Sequence, residues 1–527
     1  MKFDVIITNA TVIDGTGKDS YHSDIGITED KITALQNLSG HKALTIIDAK
    51  NQVVAPGFID ILSHADNYWS LFDYPEAESF ISQGITTVIG GNCGSSLAPV
   101  VTKDSLLSIQ KWTDARRTSV QWASFSEFLR FLDQVSLPVN FGSLVGHSTL
   151  RRSFLGDEVR GLKPSELESL LETLERALRE GAFGLSTGLG YAHEEFAPQE
   201  EIESFARVVQ AHDALYSTHI RNEGANLLKS VEEALKLAKS VDVRVEIAHM
   251  KAKGKPNYQT IDEVIIRIQE AIERGNDIGF NLYPYSTTLS VLYPYLPSWS
   301  YEGGMKHLLE NLRGKVTRKR IISEMQKGII NFARLTVAKA DGLSNVIGKN
   351  FEQISEAQET SVEEAVLDVI ESARGRLLVF DPSLSPEVVQ RLLFHHAASV
   401  ATDDGYYDTD KIVGKNELVH PRAYGTFPKF LELVRLTKAI SLEDAIFKLT
   451  GRVATRLRLR NRGTLEKGKA ADVVIFDPET VGSDADFEAP FVKAKGIQTV
   501  IINGKVAYQH NELTHAGSGR ALRFGAS

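Results

Sequence analysis

The sequence predicts an α/β protein: a (β/α)8 barrel with an inserted helical lid and a small β-sandwich domain built from both chain ends. Three observations predict it. Through the middle of the chain, short β-like runs alternate with helical stretches, the pattern of βα units around a parallel sheet. Eight such runs can be counted, the number that closes a barrel. Both ends share a different texture, β-branched runs separated by turn signals.

At the N-terminus, Val5-Ile6-Ile7 and Thr11-Val12-Ile13 are β-branched and Asp14-Gly15 follows as a turn. Lys31–Leu35 and Thr45–Asp48 continue the pattern. It returns in Ala471–Phe476 and Thr499–Val506, where Asn503-Gly504 is a hairpin signal. The small domain is therefore expected from residues 1–55 and 461–527, and the barrel from 56–460.

The expected barrel strands are Phe58–His64, Thr86–Asn92, Pro138–Gly146, Phe183–Thr187, Ala214–His219, Val243–His249, Ile278–Pro284 and Ala398–Asp403. A helix over Pro164–Glu180 would place Leu167, Leu170, Leu171, Leu174 and Leu178 on one face, with Ser165 as its cap. The stretch between the last two strands is too long for one crossover. It holds Tyr283-Pro284-Tyr285 and the aromatic run Tyr293–Trp299, then charged helical sequence to about Phe351. A structureless loop of that length is uncommon, so a helical insertion over about 286–350 is expected, covering the barrel mouth.

Composition narrows the function classes. The 527 residues carry 59 Lys+Arg against 68 Asp+Glu, a net charge of −9, with 42% hydrophobic and 24% charged residues. Those fractions exclude a disordered or fibrous chain. Mild acidity argues against nucleic acid as a partner, and the basic run Arg313–Arg320 reads as a solvated helix face. No stretch approaches the ~18 apolar residues of a membrane helix. Asp4 and Asn9 interrupt any secretory-type apolar core. One cysteine forms no internal disulfide, so nothing requires an oxidising compartment. The expectation is a cytoplasmic protein acting on a small molecule, with neither nucleic acid nor membrane as partner.

In a (β/α)8 barrel, reacting groups lie at the C-terminal strand ends. Those ends carry His64 and Asp66, Cys93, His147, His219, His249, Tyr283 and Asp403-Asp404. Each alone is weak: a cysteine is usually a small hydrophobe and an acidic pair often caps a helix. Their coincidence changes the odds. His219 and His249 end successive strands, which lie about 4.8 Å apart, and Cys93 points into the same mouth. One thiolate and two imidazoles suit Zn²⁺ with a position left for water, whose pKa the ion lowers to about 7. A nearby aspartate would shuttle that proton to a leaving nitrogen, in metal-assisted hydrolysis of an amide-like bond.

Specific segments carry a family resemblance. Ala55-Pro56-Gly57-Phe58-Ile59-Asp60, Gly90-Gly91-Asn92-Cys93-Gly94, Thr218-His219-Ile220-Arg221-Asn222-Glu223, Ala248-His249-Met250-Lys251 and His420-Pro421-Arg422-Ala423-Tyr424-Gly425 resemble the N-acyl-D-amino-acid deacylases of the amidohydrolase superfamily. The resemblance implies a tightly held zinc on Cys93, His219 and His249, with Asp403 as catalytic base and then acid. It also implies Lys251 as anchor for the substrate α-carboxylate, Tyr283 as hydrogen-bond donor to the carbonyl oxygen, and Arg221 as an aid at the carboxylate. Asp404 is the alternative register to Asp403.

One departure stands out. The family's first strand carries His-x-His, whereas this chain has Leu62-Ser63-His64. Leu62 cannot bind metal, so a single zinc is expected, with His64 either polarising the reacting water or remaining as a hydrogen-bonded remnant. Two other readings are a cyclic amidase or dipeptidase of the same superfamily and a scaffold that has lost catalysis. Asp60 and Asp66 read equally as caps, Arg151 and Arg152 as lid contacts, and Tyr293, Tyr295 and Trp299 as packing of the insert.

Overall fold

The computed structural model describes residues 2–114, 120–514 and 517–526. Eight parallel strands ring the centre. Phe58–Asp60, Ile85–Gly90 and Asn140–Ser143 form one run, and Val145–Gly146, Gly184–Gly188, Leu215–His219, Arg244–Ile247, Ile278–Leu282 and Ala398–Val400 form the other. The third strand is thus interrupted at Leu144, whose N–H still donates to the Gly90 carbonyl at 3.0 Å. The ring closes where Asp403 N donates to Leu62 O at 2.9 Å and His64 N to Asp404 O at 2.8 Å. Asp60 holds the same seam, accepting from Thr402 Oγ1 at 2.5 Å and Thr402 N at 3.1 Å. It is a strand-to-strand tie rather than a cap.

The strands are buried along their length, as parallel strands covered by helices must be, except at His219, which is half-buried at the end of its strand. Leu62 is fully buried with Ile89, Leu144, Phe183 and Leu215 in the barrel interior. The helix expected over Pro164–Glu180 runs Pro164–Arg179 and buries Leu170, Leu174 and Leu178. Its cap is Lys163, not Ser165. Pro164 takes the first helical position, where its missing N–H costs nothing, and Glu166 reaches back to Lys163 N at 2.8 Å.

The terminal segments supply nine strands. Val53–Pro56 pairs antiparallel with Val473–Phe476, which joins the two chain ends. All nine are linked through Lys2–Val12 into one branched sheet. Asn503 (φ 48°) and Gly504 (φ 80°) make the hairpin turn between Ile497–Ile502 and Lys505–Gln509, both in the left-handed region a type I′ turn needs. Asp472 locks this domain to the third barrel strand: it accepts from Asn140 Nδ2 at 3.0 Å, from Asn503 N at 2.7 Å, and from Arg462.

The insert differs from expectation. Alongside the helices Gly304–Arg313, Lys315–Lys327, Phe351–Gln358 and Val362–Ser372 it contains an antiparallel sheet, Thr288–Val291 and Thr336–Ala340 on either side of Leu377–Asp381. It therefore runs beyond 350 and is α/β rather than helical. The strands are only four or five residues long, so period-2 patterning was hidden in the sequence. Its core includes Leu308, Ile321, Val337, Phe351 and Val379, and is continuous with Cys93 and Trp112 at the barrel mouth. The Arg313–Arg320 run is ion-paired within the insert, Arg318 with Glu364 at 2.7 Å and Arg320 with Glu324 at 2.9 Å.

Candidate metal centre and active site

The loop after the second strand delivers Cys93. Gly91 (φ +73°) lies so close to Leu144 that a Cβ there would sit 2.1 Å from its carbonyl oxygen, and a Cβ on Gly94 (φ +77°) would sit 2.0 Å from Glu194 Oε2. Only glycine fits either place. Asp66 Oδ2 accepts from Gly91 N at 2.7 Å and so holds the start of this loop. Thr218 pairs with Ile247 across adjacent strands, which sets His219 and His249 side by side, their rings 4.5 Å apart.

The donor atoms of Cys93, His219 and His249 all lie within 4.8 Å of one another, and Cys93 Sγ is 3.4 Å from His249 Nε2. A tetrahedral zinc with bonds of about 2.0–2.3 Å has ligand atoms roughly 3.3–3.8 Å apart, so small movements would close this set on an ion. His219 Nδ1 is buried without a hydrogen-bond partner among the described residues. Burial holds His219 well below the usual histidine range, hence neutral and able to ligate. Burial, then Asp403, push the Cys93 thiol well up; a facing cation reverses that and yields the thiolate. The donor set fits zinc.

Asp403 sits opposite. Its Oδ1 is 3.2 Å from His64 Nε2 and its Oδ2 accepts from Arg422 Nη1 at 2.8 Å. Burial would raise this carboxyl, yet Arg422, His249 and His64 hold it well below the usual carboxylate range. Asp404 turns the other way, to Gly405 N at 2.8 Å, Tyr407 OH at 3.2 Å and Arg422 Nε at 3.2 Å. Cys93 (φ 53°), His249 (φ 36°) and Asp403 (φ 53°) all have left-handed backbone. Such strain gathers where surroundings fix a functional conformation.

Tyr283 is buried, with no partner for its hydroxyl among the described residues. Burial pushes that hydroxyl well up, so it acts as a donor. The Arg422 guanidinium lies 4.7 Å over its ring. Lys251 Nζ donates to Glu223 Oε1 at 2.5 Å and lies 2.7 Å from His249 Nδ1. Lys253 Nζ reaches Glu223 Oε2 at 3.2 Å. Arg221 borders the same cavity of about 620 Å³, but its guanidinium is already taken up. Nε bonds both oxygens of Glu233 at 2.9 Å, and its other nitrogens bond the carbonyls of Glu194, Glu195 and Ala197. It braces the segment after the fourth strand instead of reaching for a carboxylate.

Three residues escaped the sequence reading. Glu223, whose Oε1 is 3.0 Å from His249 Nδ1, stands where a carboxylate can hold one ring nitrogen and so orient the other toward an ion. Arg422 neutralises Asp403. Asn67 Nδ2 donates to the Asn92 carbonyl at 3.2 Å, which fixes its amide orientation, and to His64 Nδ1 at 3.1 Å. Glu223 and Arg422 both lie in segments that carried the family resemblance, which was the available signal. Asn67 had none.

Fold and donor set define the class: a (β/α)8-barrel hydrolase built around a metal centre at the strand ends. The chain belongs to the amidohydrolase family, whose profile matches residues 45–317 and 414–508. The unmatched span holds most of the insert and the eighth strand. The chain is 31% identical over 521 residues to a D-aminoacylase of Alcaligenes xylosoxydans xylosoxydans, covering 99% of this chain and 97% of that one. An N-acyl-D-aspartate deacylase of the same organism is 31% identical over 526 residues, covering 99% and 95%. Among solved structures, the N-acyl-D-glutamate deacylase of Bordetella bronchiseptica, complexed with zinc and a phosphonate mimic of the tetrahedral intermediate, is similar with a TM-score of 0.84 at 26% identity, covering 99% and 100%.

Proposed function

We propose that the protein hydrolyses the amide bond of N-acyl-D-amino acids, a linear non-peptide C–N bond, to a carboxylate and a free D-amino acid. One zinc ion would be held by Cys93, His219 and His249. The observation that carries the reading is the convergence of those donors opposite Asp403, in a chain that matches a D-aminoacylase along its length. When bound, the ion supplies a Lewis acid for the scissile carbonyl and acidifies water.

The chain's own residues do the rest. Asp403, kept ionised by Arg422, accepts a proton from the attacking water and hands it to the departing amine. The Tyr283 hydroxyl donates to the carbonyl oxygen as charge develops there. Lys251 receives the α-carboxylate: with Lys253 it sets two positive charges against the one of Glu223, which leaves attraction for an incoming anion. His64 holds Asp403 in place. His64, Cys93 and Asp403 form a second donor group, but Arg422 puts a positive charge beside it and buried Leu62 adds no ligand, which argues for one ion. The insert serves as lid. No helix among the described residues is long and apolar enough to cross a membrane, and a thiol that must stay reduced to bind metal supports a cytoplasmic location.

The test is a hydrolysis panel of N-acetyl-D-amino acids, their L-enantiomers and hydantoins, run with and without added zinc. Release of D-amino acids that depends on zinc is expected. Turnover of hydantoins alone would transfer the protein to the cyclic amidases, and a metal-free, inactive native protein to the scaffolds.

A further inference from the structure

A second cavity, of about 420 Å³, lies between the barrel mouth and the insert, and the deacylase chemistry makes no use of it. The barrel side contributes Arg152, from the helix His147–Leu155, and His193, from the short helix Ala192–Glu195. The insert contributes Arg376 and Lys306. Tyr191 and Tyr301 line both this cavity and the catalytic one, so the two share these rings as walls.

The polar groups of this cavity are incompletely satisfied. His193 is only 4% exposed, yet neither ring nitrogen has a hydrogen-bond partner among the described residues. Nε2 comes no closer than 3.8 Å to Asp157 Oδ1, too far for a hydrogen bond. Burial, and then Arg152, push its pKa down to about 3, so the neutral ring offers one N–H and one lone pair. Arg152 donates from Nη1 to Asp157 Oδ1 at 2.9 Å and to Gly156 O at 3.3 Å, while its buried Nε has no partner. Arg376 pairs with Asp341 through Nη2 and lies 3.5 Å from Asp114 Oδ1 through Nη1, while its Nε is orphaned in the same way. Buried donors are nearly always bonded, so three on the residues lining one space give a ligand polar atoms to meet. Cationic side chains outnumber acidic ones six to three in its walls, and Tyr293, Met305 and Leu309 supply an apolar side.

Lys111 connects this space to the catalytic centre. Its Nζ is 4.0 Å from the Trp112 ring centroid and 4.5 Å from that of Tyr191, and donates to Ser95 Oγ at 2.8 Å. Trp112 in turn lies 5.0 Å from the His64 ring, and Tyr191 4.8 Å from the His219 ring.

We propose that the second cavity binds a small organic anion, its carboxylate or phosphate head on Arg152, His193 and Arg376 and its apolar body against Tyr293 and Met305. The catalytic centre would sense occupancy through Lys111 and the Trp112–Tyr191 pair. An anion there attracts the Lys111 ammonium away from the two rings, and those rings flank His64 and His219. Because barrel and insert both supply contacts, the ligand also fastens the lid to the mouth.

Isothermal titration of the full chain with benzoate and with inorganic phosphate tests this, without substrate, so its result does not depend on the deacylase reading. Saturable binding of at least one probe is expected, benzoate assigning the carboxylates and phosphate the phosphates as the source. His193→Leu and Arg376→Met should each weaken it about tenfold, the loss of one good contact, with unchanged circular dichroism. The catalytic-cavity variants Lys251→Met and Cys93→Ala should leave it unchanged. Binding should shift the intrinsic fluorescence, and Trp112→Phe should abolish the shift. Failure of both probes to bind, or binding lost in Lys251→Met or Cys93→Ala but kept in His193→Leu and Arg376→Met, overturns the site. Binding with no Trp112-dependent shift overturns the coupling.

Discussion

His64 Nε2 and Asp403 Oδ1 face each other at 3.2 Å across the seam that closes the barrel. The direction of the proton between them is set from behind. Asn67, anchored on the Asn92 carbonyl, presents an N–H to His64 Nδ1, so the ring proton sits on Nε2 and points at Asp403. Asp403 is thus held on one side by a neutral donor and on the other by Arg422, in the orientation a proton shuttle needs.

Asp403→Asn keeps the size of the side chain but only one of its two acceptors, and it cannot accept a proton. We expect kcat to fall by about 10²–10⁴, the usual value of positioned acid–base catalysis, with zinc content per chain unchanged. Wild-type turnover in a zinc-loaded variant would remove Asp403 from the mechanism.

Arg221 and Lys251 both border the cavity, and substitution should separate their roles. Lys251→Met should raise KM for an N-acyl-D-amino acid about tenfold or more through loss of a charged contact. Arg221→Met should leave KM within about threefold and instead lower thermal stability, since it strips the bonds to Glu233 and three carbonyls. Steady-state kinetics and thermal melts on the two variants decide the matter; a KM effect in Arg221→Met as large as in Lys251→Met would restore Arg221 to the carboxylate.

How far the sequence could be read follows from what each feature depends on. The barrel strands were visible because short β-like runs recur between helical stretches, and the Asn503-Gly504 hairpin because its turn demands particular residues. Cys93, His219 and His249 were visible because they end those strands. The sheet of the insert was not, because runs as short as Thr288–Val291 carry too little periodicity. Arg221 misled because a guanidinium near a carboxylate site looks the same in sequence whether its donors are free or bound. Asn67 was invisible because its role is a tautomer, which exists only once Asn92 and His64 are brought together in three dimensions.

Glu223 ties the proposed metal centre to the proposed substrate anchor, since its Oε1 lies near both His249 Nδ1 and Lys251 Nζ. Glu223→Gln removes the charge that orients His249, and outer partners of this kind are worth about 10–100-fold in metal affinity. Competition with a zinc chelator should show a loss of that size. Undiminished zinc affinity would mean that Glu223 serves Lys251 alone.

The buried group His147, Glu194, Glu201 and Arg151 lies behind the same mouth and should register in acid stability. His147 Nε2 and Nδ1 are each 2.9 Å from a carboxylate oxygen, of Glu201 and Glu194 respectively, and Arg151 also pairs with Glu201. Burial alone would raise Glu201, but His147 and Arg151 lower it from 4.5 to about 2. A carboxyl whose folded pKa is depressed adds stability that is complete above the unfolded value and disappears as pH falls through the folded one. The window is therefore pH 4.5 down to about 2, and the contribution above it is about 3 kcal/mol. His147 has the opposite sign: burial lowers it, the two glutamates outweigh that and raise it, so its share is complete below the ordinary histidine pKa and fades as pH rises. Urea unfolding of Glu201→Gln should show a large loss of stability at pH 6 that narrows at pH 3, where the same carboxyl is already protonated in the unfolded wild-type chain. A gap equally wide at both pH values would mean that Glu201 acts through packing and not through charge.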